Sequence, residues 1–290
     1  MRRGMHNDAR KNLADLTGSE LGEVEQRKAP RTQVLYETIR LEGEHELDRP
    51  ASALAWSGLA AGMSMGLSLL TMGLLHAHLP DAPWSRAVVS LGYCVGFFVV
   101  ITARQQLFTE NTLTPVIPFL AHKTVQTFFK VLRLWGIVLV TNLLGTLAVA
   151  FALHSSGAFS RAVRASFATL AQQAAEGSAS EHFVRAVFSG WLIALMVWML
   201  AAASARAFVI VMVTYIVGLG QLSHVIAGST EVLYAVLDGE VELLSYFTGF
   251  LIPVGAGNLL GGIALVAMLN HAPVAADWRG TNNGDDVSER

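Results

Sequence analysis

Residues 103–113 read Ala103-Arg104-Gln105-Gln106-Leu107-Phe108-Thr109-Glu110-Asn111-Thr112-Leu113, and residues 221–229 read Gln221-Leu222-Ser223-His224-Val225-Ile226-Ala227-Gly228-Ser229. Each stretch follows an apolar run that is short for a crossing, 87–103 and 207–220, and apolar sequence resumes afterwards at 113–120 and 232–237. A helix needs about 20 mostly apolar residues to span the hydrocarbon core. A backbone broken at membrane depth leaves N–H and C=O groups to be satisfied. Such breaks are tolerated only when buried in protein or lining a wet cavity. Two interrupted crossings therefore predict a pathway as well as a fold; ordinary re-entrant packing is the plainer alternative.

Working outward, the uninterrupted apolar runs are 51–75, 134–154, 186–205 and 244–270, which with the two broken ones make six crossings. Composition agrees: 53% of the 290 residues are hydrophobic and 14% charged, against roughly a quarter charged in soluble proteins. Residues 1–50 carry 19 of the 42 charged side chains. A water-soluble enzyme is thereby excluded, and a net charge of −2 argues against nucleic-acid binding through a global basic field. Cys94 is the single cysteine, so neither an intramolecular disulfide nor a thiolate metal site is expected. The domains read as a charged tail at 1–49, a transmembrane domain at 50–272 and a tail at 273–290. Within the first tail, 33–42 reads as a short amphipathic helix ending before Gly43. Residues 1–30 and 279–290 read as disordered. No signal peptide is expected, because the first apolar run starts only after the charged tail. With the N-terminus inside, cytoplasmic segments hold fifteen Lys and Arg and outer loops four, with Arg104 set aside as intramembrane. Both termini are thus expected to be cytoplasmic in an inner (plasma) membrane protein.

The chain also repeats weakly. Trp56-Ser57-Gly58 is echoed by Phe188-Ser189-Gly190, Gln106-Leu107 by Gln221-Leu222, and Asn142-Leu143-Leu144-Gly145 by Asn258-Leu259-Leu260-Gly261. The echoes keep their order in three corresponding spans. A three-span unit turns its second copy over, so the expected architecture is an all-α membrane protein of two inverted three-helix repeats. Helices 2 and 5 are the broken ones, and broken helices in matching positions point to a transport site.

These residues together resemble the formate/nitrite transporter family. Leu107-Phe108-Thr109 resembles the family's Leu-Phe-Thr loop, and His224 followed by Ile226-Ala227 resembles its central histidine. Ile252-Pro253-Val254 and Gly257-Asn258-Leu259-Leu260-Gly261-Gly262 are similar to its sixth helix. The resemblance covers about 50–272. It implies an aquaporin-like fold, a homopentamer in the lipid bilayer, and one pore per protomer for small monovalent anions or their conjugate acids. It also implies Tyr93 and Phe97 at the cytoplasmic constriction, Val217 at the constriction facing it on the fifth helix, Thr109 with His224 near the pore centre, and Leu107 and Phe108 of the loop as pore residues beside them. Where the family commonly has Asn in the fourth helix this chain has Ala194, and Ser178 stands where a Lys is frequent. No cofactor and no nucleic acid are implied.

Desolvating an anion in an apolar pore is costly, and protonating it in transit removes most of that cost. Histidine is suited to such exchange, which makes His224 the central candidate; a packing histidine is the alternative. Thr109 could hold the anion, cap the helix after it, or do both. Tyr93 and Phe97 would obstruct hydrated ions while passing a small neutral acid. Arg104 and Glu110 flank the Leu-Phe-Thr loop and could pair with each other, contact substrate or bridge protomers. Gly58, Gly62, Gly66, Gly257, Gly261 and Gly262 read as close helix contacts. The remaining histidines near span ends have no ligand spacing, so no metal is expected. The competing functions are a non-conducting scaffold or sensor that kept the fold and an intramembrane enzyme. For the enzyme, no catalytic partner of His224 is evident.

Overall fold

The computed structural model describes residues 31–268, together with Thr17 and Ser19. The expected disordered segments 1–30 (those two residues aside) and 279–290, and the tail from 273, lie outside the described residues. Helix α1 (Thr32–Leu47) precedes α2 (Ala51–His78) and α3 (Ser85–Thr102). A 3₁₀ turn (Glu110–Thr112) leads to α4 (Val116–His122), followed by α5 (Val125–Ser155). The second half holds α6 (Arg161–Ala175), α7 (Ala179–Ala202), α8 (Arg206–Leu219) and α9 (Ala227–Leu237). It ends in α10, residues 243–268, a continuous helix with wider π segments at Tyr246–Leu251 and Gly261–Met268. Strands are absent among the described residues.

The six crossings are α2, α3 with α4, α5, α7, α8 with α9, and α10, in two inverted three-helix repeats. Among the described residues five helices are long and apolar enough to span; α8, at 14 residues, is not. At about 1.5 Å per residue it reaches roughly 21 Å, so α9 completes the crossing. The halves match in packing: α2 lies on α5 as α7 lies on α10, and α3 meets α8 across the centre. Small residues permit this closeness. A Cβ on Gly62 would stand 2.0 Å from the Asn142 carbonyl oxygen, and one on Gly190 would stand 2.4 Å from that of Asn258. The other glycines singled out in the sequence also face neighbouring helices.

Both breaks are built on one plan. Helices α3 and α8 each stop in the same 6→1, 5→2 hydrogen-bond pattern that ends many helices. Gln105 N–H donates to Val100 O (3.0 Å) and Arg104 N–H to Ile101 O (3.2 Å). Likewise Leu222 N–H donates to Val217 O (3.0 Å) and Gln221 N–H to Gly218 O (3.2 Å). The left-handed residue that glycine usually supplies is Arg104 (φ 52) in one and Gln221 (φ 48) in the other. Each chain then turns back to mid-membrane, where an asparagine satisfies it. Asn142 accepts from Phe108 N–H (2.9 Å) and donates to Gly58 O (2.7 Å) and Gln106 O (2.9 Å). Asn258 accepts from Val225 N–H (2.9 Å), donates to Ala186 O and Ser189 Oγ (both 2.8 Å), and has Ser223 O at 3.2 Å. Ser57 accepts from Gln106 N–H (3.0 Å), and Ser189 donates to Ser223 O. In this register Gln106 corresponds to Ser223, two residues beyond the Gln221 suggested by the sequence echo.

Three expectations about local structure change. Helix α1 runs through Gly43 instead of stopping before it. That glycine is a contact point, since a Cβ there would lie 2.1 Å from Thr114 O. The third crossing starts nine residues before the apolar run, because Thr124 caps α5 by accepting from Thr127 N–H (3.1 Å). The connection from α5 to α7, expected as a loop, contains α6, an amphipathic helix that buries Phe167 against Gly73 and Tyr234.

Candidate functional site

Two cavities approach the centre from opposite faces, and no residue lines both. The cavity on the α1 side, about 420 Å³, is lined by Glu42 and Glu46 of α1, Arg104 to Gln106 of the first break, Glu110 and Arg206. The cavity on the far side, about 790 Å³, is lined by the loop after α2, by Tyr93, by α6, and by Gln221 to His224 of the second break.

The septum between them is formed where the two breaks touch. Thr109 Oγ1 lies 2.8 Å from His224 Nε2, and both residues are buried. His224 Nδ1 faces the N–H groups of Ile226 (3.3 Å) and Ala227 (3.2 Å) in the first turn of α9. Two donors at Nδ1 require an acceptor there, so the hydrogen of the neutral ring sits on Nε2 and is donated to Thr109. Thr109 therefore accepts, and its own hydroxyl hydrogen is left to give. Its side chain does not cap the turn after it. Phe97 packs edge-on against His224 with centroids 4.9 Å apart, and Tyr93 lies 5.4 Å from Phe97.

The structure brings Thr109, His224 and Phe97 together in the septum, sets Tyr93 and Val217 in the cavity that His224 also lines, and turns Leu107 and Phe108 away. Tyr93 and Phe97 do not share one constriction. Phe97 is in the septum, whereas Tyr93 lines the far cavity with Val217 and Gly218, on the face opposite α1. Leu107 is fully buried and lines neither cavity. Phe108 turns toward α5, meeting Trp135 at 6.4 Å. It serves to anchor the loop, and Trp135 Nε1 adds a hydrogen bond to Asn111 O (2.7 Å).

Arg104 and Glu110 form no pair. Arg104 is the left-handed helix stop, its side chain is 79% exposed, and it pairs with Glu42 of α1 at 3.0 Å. It is therefore not intramembrane in the sense expected from the sequence: the helix end carries it out to the α1-side mouth. Glu110 lines the α1-side cavity without an ion pair to any described residue. Ala194 packs against Tyr36 and Ile39 of α1. Ser178 caps α7 in a reciprocal capping box with Glu181.

Sequence reasoning passed over two kinds of residue. Ser57, Ser189, Asn142 and Asn258 were visible as repeat echoes, but their task of satisfying the breaks was not. Glu231 was missed as the flank of an apolar run; its signal was its place seven residues, two helical turns, after His224. Helix α1 is itself tied to the first break. Glu46 accepts from Gln106 Nε2 (3.0 Å) and Thr114 Oγ1 (2.9 Å), and burial raises its carboxyl despite them. Lys130 pairs with Asp48 at 2.6 Å, pulling that carboxyl down. Among the described residues no group of three or more His, Cys, Asp or Glu could hold a metal ion.

Comparison with known proteins follows this geometry. The formate/nitrite transporter family profile matches residues 33–272. The inner membrane protein YfdC of Escherichia coli is 41% identical over 257 residues, 88% of this chain and 83% of that one. Two solved structures share the fold at 18% identity. A pentameric formate channel with formate bound has a TM-score of 0.66 and covers 78% of this chain and 98% of its own. An ion channel of the same family has a TM-score of 0.69, covering 81% and 96%. The likeness carries the six-crossing, aquaporin-like fold expected from the sequence. The chain thus belongs to the formate/nitrite transporter family, a family of membrane channels and transporters, not enzymes.

Proposed function

We propose that the protein is a channel or transporter for small monovalent anions or their conjugate acids, of the formate and nitrite class, with its selective step at the Thr109–His224 contact. The observation that carries this is the buried 2.8 Å hydrogen bond joining the two breaks between opposed cavities. His224 donates to Thr109, so an anion beside Thr109 meets a hydroxyl donor polarised by a second donor. Such a fixed donor chain offsets part of the cost of stripping water from the anion, while Phe97 keeps the surroundings apolar and obstructs hydrated ions. Proton exchange on the His224 ring needs a hydrogen at Nδ1, where two amide hydrogens now point. Exchange therefore goes with a shift of the first turn of α9.

The same reading assigns residues 50–272 to transport and the flanking tails to the cytoplasm, on the Lys and Arg distribution. The E. coli relative is an inner membrane protein, which supports that membrane here. In this orientation the α1-side cavity opens inward, and Tyr93 and Val217 line the cavity that opens outward. The pentameric assembly of the solved formate channel supports a homopentamer. The test is anion flux in reconstituted vesicles under formate, nitrite, acetate or hydrosulfide gradients. Flux at least tenfold above protein-free vesicles is expected for formate or nitrite. Equality with protein-free vesicles for all four would contradict transport and favour a scaffold or sensor.

A further inference from the structure

The far cavity contains an acidic side chain with no partner. His224, Gly228 and Glu231 all line it, and their spacings of four and three residues put them on one stripe of the chain entering α9. Tyr93 of α3 and Val217 and Gly218 of α8 line the same cavity, and Tyr93 packs on Phe97 of the septum, so Glu231 faces the space that leads to His224. Glu231 makes no hydrogen bond or ion pair with any described residue. The acids of the opposite mouth that come from α1 are partnered, Glu42 by Arg104 and Glu46 by Gln106 and Thr114.

The charged and titratable groups around this cavity make no hydrogen bond or ion pair with Glu231, although Tyr93 lies close enough to feel its charge. His76 of α2 bonds Ser166 of α6 at 2.9 Å, and His182 of α7 bonds Ser223 at 3.1 Å. Asp81, Arg86, Glu176 and Arg185 line the cavity from the loops and helix starts around it, and none pairs with Glu231. Other elements packed on α9 direct their groups elsewhere. His154 of α5 pairs with Asp238 at 3.3 Å, Tyr234 donates to Arg164 O of α6 at 3.5 Å, and Tyr246 of α10 donates to Ser229 at 2.9 Å.

We propose that Glu231 is a specificity-determining, titratable gate: an anion moves between the far cavity and Thr109–His224 only while the Glu231 carboxyl is protonated. This rests on the anion-transport reading above. An ionised carboxylate in a poorly screened cavity repels a passing anion, whereas a carboxylic acid offers it a hydrogen-bond donor. The proton comes from hydronium in the cavity, leaving water. It stays on the carboxyl as the anion passes, and it returns to water when the pH rises.

The test is formate and nitrite influx into vesicles at fixed anion concentration, between pH 6 and pH 8. Wild-type influx above that of protein-free vesicles is expected to fall at least fivefold across this range. In Glu231→Gln the slope shrinks to less than twofold, with influx at pH 8 at least threefold above wild type. Glu231→Asp keeps a slope with a displaced midpoint, which tests the gate even if the Gln variant does not reconstitute. Wild-type influx without a pH slope, a Gln variant with the wild-type slope, or an Asp profile superimposed on wild type each overturns the gate. Absence of wild-type influx at every pH overturns anion transport and the gate with it, so the two failures are distinguishable.

Discussion

The first break returns to mid-membrane through Gln106 and Phe108, tied to Asn142 and Ser57, and the second through Ser223 and Val225, tied to Asn258 and Ser189. The backbone needs are the same in both halves, and the same residue types meet them. The side chains at the pore are not the same. In the register set by the asparagines, Thr109 corresponds to Ile226 and His224 to Leu107, so the hydrogen-bonded pair has no symmetry mate. Helix α1 adds to the difference by covering only the first break, through Arg104–Glu42 and the Glu46 contacts. What the halves share is scaffold; what they do not share is where an anion would be handled.

The equivalence is most severely tested at the asparagines. Asn142→Leu and Asn258→Leu each leave one buried N–H unpaired, that of Phe108 or Val225, and take a donor from at least two buried oxygens, at about 1–3 kcal/mol for the unpaired N–H and about 0.5–1.5 kcal/mol for each lost donor bond. Comparable losses of roughly 2–6 kcal/mol, read as loss of a monodisperse species in detergent, are expected in both. A loss in only one half would break the comparison. Smaller effects are expected at the close approaches. Gly62→Ala and Gly190→Ala push a methyl against the carbonyl of the partner asparagine, costing about 1–3 kcal/mol each by overpacking and lowering the thermal midpoint to a similar degree.

The smallest effect sharpens the difference between the halves. Burial raises the Glu46 carboxyl in the folded state. Its contribution to stability is thus fully present below the unfolded carboxyl range and is lost as pH rises through the folded value. Glu46→Gln is expected to remove that loss. The variant should gain on wild type in thermal midpoint between pH 5 and pH 8, by less than about 1 kcal/mol for a half-buried group. A gain that instead grew toward low pH would contradict the burial of this carboxyl against the first break.

Much of this was legible in the sequence. Apolar runs gave the six crossings because membrane length and hydrocarbon leave little choice. Asn and Gly in the echoes were visible because both the breaks and the close helix contacts demand them. Thr109 and His224 stood out as polar residues at breaks. What was hidden depends on direction. Composition shows that Arg104 and Glu110 are expensive in a bilayer, but not that a left-handed helix stop turns Arg104 outward to Glu42. The Gln106 and Gln221 echo matched letters, whereas backbone geometry pairs Gln106 with Ser223. Phe108 looked like pore lining because it stands in the Leu-Phe-Thr loop beside Thr109, yet it points to Trp135. Tyr93 and Phe97 lie one turn apart, and a turn is enough to put one in the cavity and the other in the septum.

The most direct measurement is formate influx by Thr109→Val, which removes the hydroxyl that His224 bonds and keeps the volume. Its gel-filtration profile and thermal midpoint should stay close to wild type, because the breaks are held by Asn142 and Asn258 and not by this contact. Influx is expected to drop at least tenfold, about 1.4 kcal/mol in the barrier. Influx within twofold of wild type, in protein that elutes normally, would contradict the Thr109–His224 contact as the selective step.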